Sequence, residues 1–395
     1  MTPRRPTRRA FLSGGLLAAL AACAGPDTAR QVGAPAGRTS ATAIEPTPSP
    51  TPTPAATAPL PPLEVMVGQM LMLGFPGTVL TPDNPVLAEL TERHLGSVIL
   101  FSAGGASNVA SPEQVAALTA SLQEAATSPL LVAVDQEGGR VARLGPARGF
   151  PPTWSARDLG RGDPAATRAA SAQMARTLAA AGVTLNLAPV VDVDTFPANP
   201  VIGSLGRSFS ADPAAVAEHA AAFVRGHHDV GVLTTLKHFP GHGSSRGDTH
   251  LGLVDVTATW DPAELDPYRS LVEAGLADAV MVAHVVNTGL DPRYPASLSA
   301  ATINRLLRGQ LGHRGVVISD DLLMGAVARE WGFEEAVRRA VLAGTDIVLL
   351  ASVTHGARAH ATILGMVAAG EVSEARIAVS YERVQALKAR SLAAA

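Results

Sequence analysis

The chain has 395 residues, 47% of them hydrophobic and only 4% aromatic. That excludes global disorder and favours small-residue packing of helices on a parallel sheet over an aromatic-rich β-sandwich. A net charge of −3 gives no electrostatic basis for binding nucleic acid, and a single cysteine excludes an internal disulfide.

That cysteine, Cys23, lies in a leader-like segment. Arg4, Arg5, Arg8 and Arg9 form a basic head, and residues 10–22 are uncharged but too few to span a bilayer comfortably. Arg8-Arg9-Ala10-Phe11-Leu12 resembles a twin-arginine export signal, and Leu20-Ala21-Ala22-Cys23 resembles a bacterial lipobox. The expectation is a signal peptide over 1–22, lipidation of Cys23, and an exported protein anchored at the outer face of the cytoplasmic membrane, in the cell envelope. The plainer alternative is a thiol behind a cleavable signal. Residues 23–62 lack apolar periodicity and contain Thr47-Pro48-Ser49-Pro50-Thr51-Pro52-Thr53-Pro54, which reads as a disordered proline-rich tether. At roughly 3 Å per residue, such a tether reaches up to ~100 Å.

From residue 63 short apolar runs alternate with helical stretches. Strands are predicted at 67–75, 97–101, 130–135, 184–191, 232–238, 279–284, 315–320 and 347–350. Helices are predicted at 112–126, 164–181, 212–230, 262–274, 299–310 and 333–343, with closing helices at 356–370 and 373–392. Ser111, Asp163 and Ser299 stand where N-caps belong, and Pro112 and Pro164 occupy first helical positions. Eight β/α repeats predict a single (β/α)8 TIM-type barrel over 63–395, with a doubly wound open sheet as the rival. No residues remain for a second domain.

Chemistry in such a barrel belongs at the C-terminal ends of the strands, and the polar residues follow that rule. Asp135, Asp192 with Asp194, Lys237 with His238, His284, and Asp320 with Asp321 each end or follow a predicted strand. The stretch Lys237-His238-Phe239-Pro240-Gly241-His242-Gly243, running on to Asp248-Thr249-His250, is the densest. Pro240 and the glycines forbid a helix there, so the polar groups sit on a loop. Asp248 and His250 are two apart; in an extended loop the carboxylate can accept the imidazole proton and leave the other ring nitrogen for proton transfer. Asp320, after the apolar Val316-Val317-Ile318-Ser319, is a carboxylate at a barrel mouth, which can attack an anomeric carbon or stabilise a cation there. Asp321 is expected to cap the following helix. Arg140, Arg143 and Arg207 lie near strand ends, where guanidinium forks suit sugar hydroxyls.

Other chemistries find less support. His238, His242 and His250 form no helical metal motif because Pro240 interrupts the spacing. The letters Gly243-Ser244-Ser245-Arg246-Gly247 fall in a glycine-rich loop and not at a strand-to-helix elbow, and no G-x-G-x-x-G turn follows a predicted strand. No metal and no cofactor are expected.

Five pieces in order complete the sequence argument: Asp135-Gln136-Glu137-Gly138-Gly139-Arg140-Val141, Asn186-Leu187-Ala188-Pro189-Val190, Gly206-Arg207-Ser208-Phe209, the Lys237–Gly243 run, and Gly315-Val316-Val317-Ile318-Ser319-Asp320-Asp321. Together they resemble glycoside hydrolase family 3, in its β-N-acetylhexosaminidase branch. The resemblance implies a glycoside hydrolase: a retaining exo-enzyme that removes terminal β-linked N-acetylglucosamine from peptidoglycan-derived or related saccharides through a covalent glycosyl-enzyme. It implies Asp320 as nucleophile and His250 as acid/base, oriented by Asp248. Asp135, Arg143, Arg207, Lys237 and His238 are the implied holders of the terminal sugar. The chain departs from the family at Ser244-Ser245, usually Asp-Thr, and at Thr249, usually Ser. A β-glucosidase, a phosphorylase of the same family and a non-catalytic sugar-binding lipoprotein are the alternatives. The expected partners are a carbohydrate and the membrane, and the expected state is a monomer.

Overall fold

The computed structural model describes residues 59–102 and 107–392. The predicted leader, Cys23 and all but the last few residues of the tether lie outside them. Eight parallel strands form the centre: β1 Leu71–Gly74, β2 Ser97–Leu100, β3 Leu131–Val134, β4 Leu185–Asn186, β5 Leu233–Phe239, β6 Ala279–Val282, β7 Val316–Ser319 and β8 Val348–Leu350. They pair in chain order, β8 returns to β1, and a bridge between Ile318 and Ile347 joins β7 to β8. The sheet therefore closes into the predicted barrel, and the open-sheet rival is set aside.

The strands are apolar on both faces because both faces are buried, as parallel sheets require. Met72, Ile99, Leu131, Ala133, Leu185, Leu233, Met281 and Ile318 fill the barrel. Their neighbours Leu71, Leu73, Val98, Leu100, Val132 and Val134 pack against the surrounding helices. Each fully buried aliphatic side chain in either layer contributes roughly 1.5–3 kcal/mol relative to exposure.

Helix starts follow the sequence signals. Ser111 accepts from the Gln114 N–H at 3.2 Å, Asp163 from Ala166 at 2.7 Å and Ser299 from Thr302 at 3.0 Å. The helices Pro112–Ala125, Pro164–Ala180 and Phe333–Ala343 match their predicted spans to within a residue.

Two predicted strands are shorter than expected. A helix, Leu63–Gln69, takes the start of the predicted first strand, and β1 begins only at Leu71. Its apolar run satisfies either period, and close packing decides: a Cβ on Gly68 meets the Arg93 carbonyl oxygen at 1.8 Å. β4 is regular only to Asn186, although the Leu187 N–H still reaches the Val134 carbonyl and the Ala188 carbonyl accepts from Thr235, both at 2.9 Å; beyond Pro189, which has no N–H to offer, a bridge joins Val190 to Lys237.

The C-terminal helix Glu374–Leu392 closes the other end of the barrel, sending Val384 and Leu387 into the interior cluster. Buried Asp346 anchors it, accepting from Ser380 Oγ at 2.7 Å and pairing with Arg383 at 3.1 Å; Arg308 completes the cluster. This end is built for stability, which leaves the opposite mouth for chemistry.

Candidate active site

The mouth holds one cleft of about 370 Å³, and every predicted catalytic and sugar-holding residue lines it. The floor is an alternating array of charge. Asp135 follows β3, and Glu137, two residues on, projects to the same side in extended backbone. Lys237 on β5 is 3% exposed, and its Nζ lies 2.7 Å from both Asp135 Oδ1 and Glu137 Oε1. Arg207 grips Glu137 through two bonds of 2.7 and 2.8 Å, and Arg143 reaches Asp135 at 3.3 Å. Burial alone would neutralise these carboxyls. The opposed cations prevail: Lys237 and Arg143 hold Asp135 below its ordinary value, and Arg207 and Lys237 hold Glu137 far below. Burial likewise opposes the Lys237 charge, but its two carboxylates raise its pKa.

His238, next along β5, donates from Nδ1 to buried Asp192 at 2.8 Å and accepts from Arg207 at Nε2 at 3.2 Å. Asp192 also accepts the backbone N–H groups of His238, at 3.2 Å, and His242, at 2.8 Å. It thus fixes both the strand end and the loop root.

Asp320 follows β7. Its Oδ1 accepts the Asp321 N–H at 2.9 Å. Burial works against its charge, and His284, His238, the Asp321 N–H and Lys237 outweigh burial, so its pKa is lowered. Burial holds His284 below the ordinary histidine range. Its bonds, Nδ1 to Ser297 Oγ at 2.7 Å and Nε2 to the Asp321 carbonyl at 2.9 Å, suit the neutral ring. At neutral pH the Lys237 ammonium and the Asp321 N–H are therefore the steady support for Asp320. Asp321 does not cap a helix. Its Oδ1 accepts from the Leu323 and Ala351 N–H groups, both at 3.0 Å, tying the β7 loop to the end of β8. Burial pushes this carboxyl up to about 6.

His250 reaches the cleft from the long loop after β5. Its side chain is 63% exposed, and its Nδ1 lies 2.6 Å from Asp248 Oδ1. The same oxygen accepts the His250 N–H at 2.8 Å, and the Leu251 N–H returns to the Asp248 carbonyl at 3.0 Å. The pairing thus comes from a tight aspartate turn, where extended backbone was predicted. Asp248 is held below its ordinary value: partial burial opposes this, and the His250 N–H and ring prevail. The loop docks on the helix Gly325–Trp331, where the Ala326 N–H meets the Thr249 carbonyl at 3.2 Å.

The remaining candidates separate. Arg140 is exposed and is not part of the cleft wall. Asp194 pairs with Arg157 at 3.2 Å. His238, His242 and His250 have separate partners, and no three His, Cys, Asp or Glu side chains among the described residues are arranged to hold a metal ion. Sequence reasoning gave no role to Glu137 or Asp192. The i, i+2 spacing of Asp135 and Glu137 was a usable signal for the first; nothing local marks the second as a hub.

Comparison with known proteins agrees with this arrangement. The profile described as the glycosyl hydrolase family 3 N terminal domain matches residues 62–387. A β-hexosaminidase of Xylella fastidiosa (strain M23) is 43% identical over 289 residues, covering 71% of this chain and 83% of that protein. The structure of a family 3 β-N-acetylglucosaminidase from Paenibacillus sp. str. FPU-7 superposes with a TM-score of 0.80 at 38% identity, over 85% of this chain but only 64% of that one. A β-N-acetylhexosaminidase from Beutenbergia cavernae DSM 12333 gives 0.78 at 37% identity, over 84% of this chain and 100% of its own. With the barrel, the charged floor and the matched span in agreement, this chain belongs to glycosyl hydrolase family 3.

Proposed function

We propose that the protein is a retaining exo-β-N-acetylglucosaminidase acting on terminal β-linked N-acetylglucosamine. One observation carries the reading: a partly buried carboxylate held in its ionised form, Asp320, and a carboxylate-oriented imidazole, His250, line the same cleft. In the first step Asp320 attacks the anomeric carbon, the glycosidic bond breaks, and the proton on His250 Nε2 passes to the leaving oxygen. In the second, water attacks the glycosyl-enzyme, gives its proton back to Nε2, and frees Asp320. Asp248 holds Nδ1 so that Nε2 is the working nitrogen.

The floor holds the sugar. Asp135, Arg143, Arg207, Lys237 and His238 meet its hydroxyls, and their bonding sets how much each has to offer. Arg207 spends its donors on Glu137, His238 and the Val201 carbonyl, so it mainly fixes the floor. Arg143 makes a single ion pair, and its side chain is still about a third exposed at the cleft wall, so it has the most capacity left for substrate.

The test uses aryl and alkyl β-N-acetylglucosaminides. Asp320→Ala abolishes release of nitrophenol, and His250→Ala slows poor leaving groups far more than activated ones. Retained turnover in the first variant, or equal losses in the second, removes the assigned role.

The Arg8-Arg9 leader and the lipobox-like sequence before Cys23 support export and lipid anchoring at the outer face of the cytoplasmic membrane. Cys23→Ala then releases the protein from the membrane fraction; an unchanged distribution rejects the anchor. A monomer is the proposed state, and light scattering of the detergent-solubilised protein decides it.

A further inference from the structure

The loop that carries Asp248 and His250 springs from the turn Pro240-Gly241-His242-Gly243, and nearly every backbone polar group of that turn is engaged. Trp260 Nε1 donates to the Pro240 carbonyl at 3.1 Å. The Gly241 N–H returns to the His238 carbonyl at 2.9 Å. The His242 N–H goes to Asp192, and Asn199 Nδ2 donates to the carbonyls of His242 and Gly243 at 2.7 and 3.1 Å. The Gly243 N–H donates to a side chain from the following connection, Glu264, at 3.1 Å. Contact on both sides is close. A Cβ on Gly241 falls 2.7 Å from Glu264 Cβ, and one on Gly243 falls 1.7 Å from the Val193 carbonyl oxygen. Glu264 is 1% exposed, and the buried Ser244 hydroxyl lies beside its second oxygen, short of full hydrogen-bond geometry.

We propose that Glu264 is a positioning residue for the acid/base loop, clamping the turn at residues 241–243 from which His250 is presented to the cleft. The proposal rests on reading His250 as the proton donor. Glu264 differs from the other clamps in one respect: it can change charge near neutrality. The ionisable groups packed around it are Asp192 from the loop after β4, His242 between the two glycines it touches, and Tyr268 and Asp261 from its own connection. Burial, with the Asp192 charge adding to it, pushes the Glu264 carboxyl up to about 7 against the Ser244 hydroxyl and the Gly243 N–H. Burial pushes His242 down to about 4, so it supplies no compensating cation, and burial keeps the Tyr268 hydroxyl well above its ordinary range and therefore neutral. The clamp is therefore complete while Glu264 is protonated. As pH rises through about 7, a buried carboxylate facing Asp192 is relieved by opening the turn to water.

Arg246, exposed within the loop and lying over the Phe196 ring at 5.1 Å, gives a direct reporter: tryptic cleavage after Arg246, followed by mass spectrometry of the native protein. Relative to Glu264→Gln at the same pH, wild-type cleavage is expected to rise at least twofold from pH 6.5 to 8. Gln keeps an acceptor for Gly243 and cannot ionise. Glu264→Ala is expected to be cut faster at both pH values. It is also expected to lose more than tenfold in kcat/KM on an alkyl glycoside and less than twofold on the dinitrophenyl glycoside, with Gln restoring the rate. A Gln variant that tracks the wild type across pH overturns the proposal, as does an Ala variant cut no faster than wild type or equally impaired on both substrates. If the wild type turns over neither substrate, the enzymatic reading fails, and the cleavage comparison still decides whether Glu264 holds the loop.

Discussion

Lys237→Met tests the charged floor most directly, because it keeps the length of the side chain and removes only the charge. In the folded variant Glu137 keeps its two bonds to Arg207, whereas Asp135 keeps only the 3.3 Å contact with Arg143. Asp135 therefore bears the loss. A buried carboxylate deprived of its cation can escape by binding a proton, at about 1.4 kcal/mol for each pH unit above its ordinary 3.8. That escape caps the destabilisation at about 4 kcal/mol at pH 7 and about 1.6 kcal/mol at pH 5. In the wild type the Asp135 value is depressed, so its contribution is present above 3.8 and is lost only as pH falls through the folded value. Between pH 5 and 7 the wild type is flat with respect to this group, and the penalty of the variant grows with pH. Urea unfolding of both proteins at the two pH values measures it. An equal penalty at both, or less than about 1 kcal/mol at pH 7, refutes the argument that Lys237 is what keeps Asp135 ionised.

Three further substitutions probe the loop root and the closed end of the barrel. Gly243→Ala places a Cβ 1.7 Å from the Val193 carbonyl oxygen, which only backbone movement can relieve, so kcat/KM on an alkyl glycoside should fall about 100-fold. Gly252→Ala, in the same loop with nothing within 4 Å, should change it less than twofold, and equal effects would dismiss the packing argument. Lys388 is buried at the closed end, bonded to Gln69, and burial pushes its pKa down from 10.5 to about 7. Its contribution is lost as pH falls through that value, so Lys388→Met should stabilise the protein by on the order of 1–4 kcal/mol at pH 6, and less at pH 9. Chemical denaturation at both pH values reads this; a loss of stability at pH 6 contradicts it.

Much of this was legible in the sequence, for reasons that mark the boundary of such reading. Strands buried on both faces must be apolar without alternation, so runs such as Val316-Val317-Ile318 announced themselves. The caps at Ser111, Asp163 and Ser299 are local events, visible in a few residues. Residues 67–69 were misplaced because a short apolar run satisfies both periods, and nothing local decides between them. The Asp248–His250 pair was found for a partly mistaken reason: the carboxylate meets the ring because a turn folds it back. Asp192 was placed at a strand end but its partners were not seen, and Glu264 stayed hidden, because His238, His242 and Gly243 lie 21 to 50 residues away in sequence, and proximity of that kind is created by the closed barrel alone.

In the mechanism we propose, the site divides its labour between a buried floor and an acid carried on an exposed loop, and the chemistry explains why. A nucleophile must be ionised and must approach the anomeric carbon in one geometry, and Asp320, the proposed nucleophile, sits at a strand end, partly buried, among groups whose own bonds are already made. The proton donor faces a different demand. It must reach the leaving oxygen of the bound substrate, then let the aglycone go and water enter. A group locked into the floor would obstruct that exchange. Placing His250 on an exposed loop provides access at the cost of orientation, and Asp248 restores orientation by fixing the ring within the loop itself. What remains is the position of the loop as a whole, and that falls to its root. The contacts of Asp192, Asn199, Trp260 and Glu264 converge on four residues there, where two glycines allow neighbouring backbone and side chains to approach more closely than any Cβ permits.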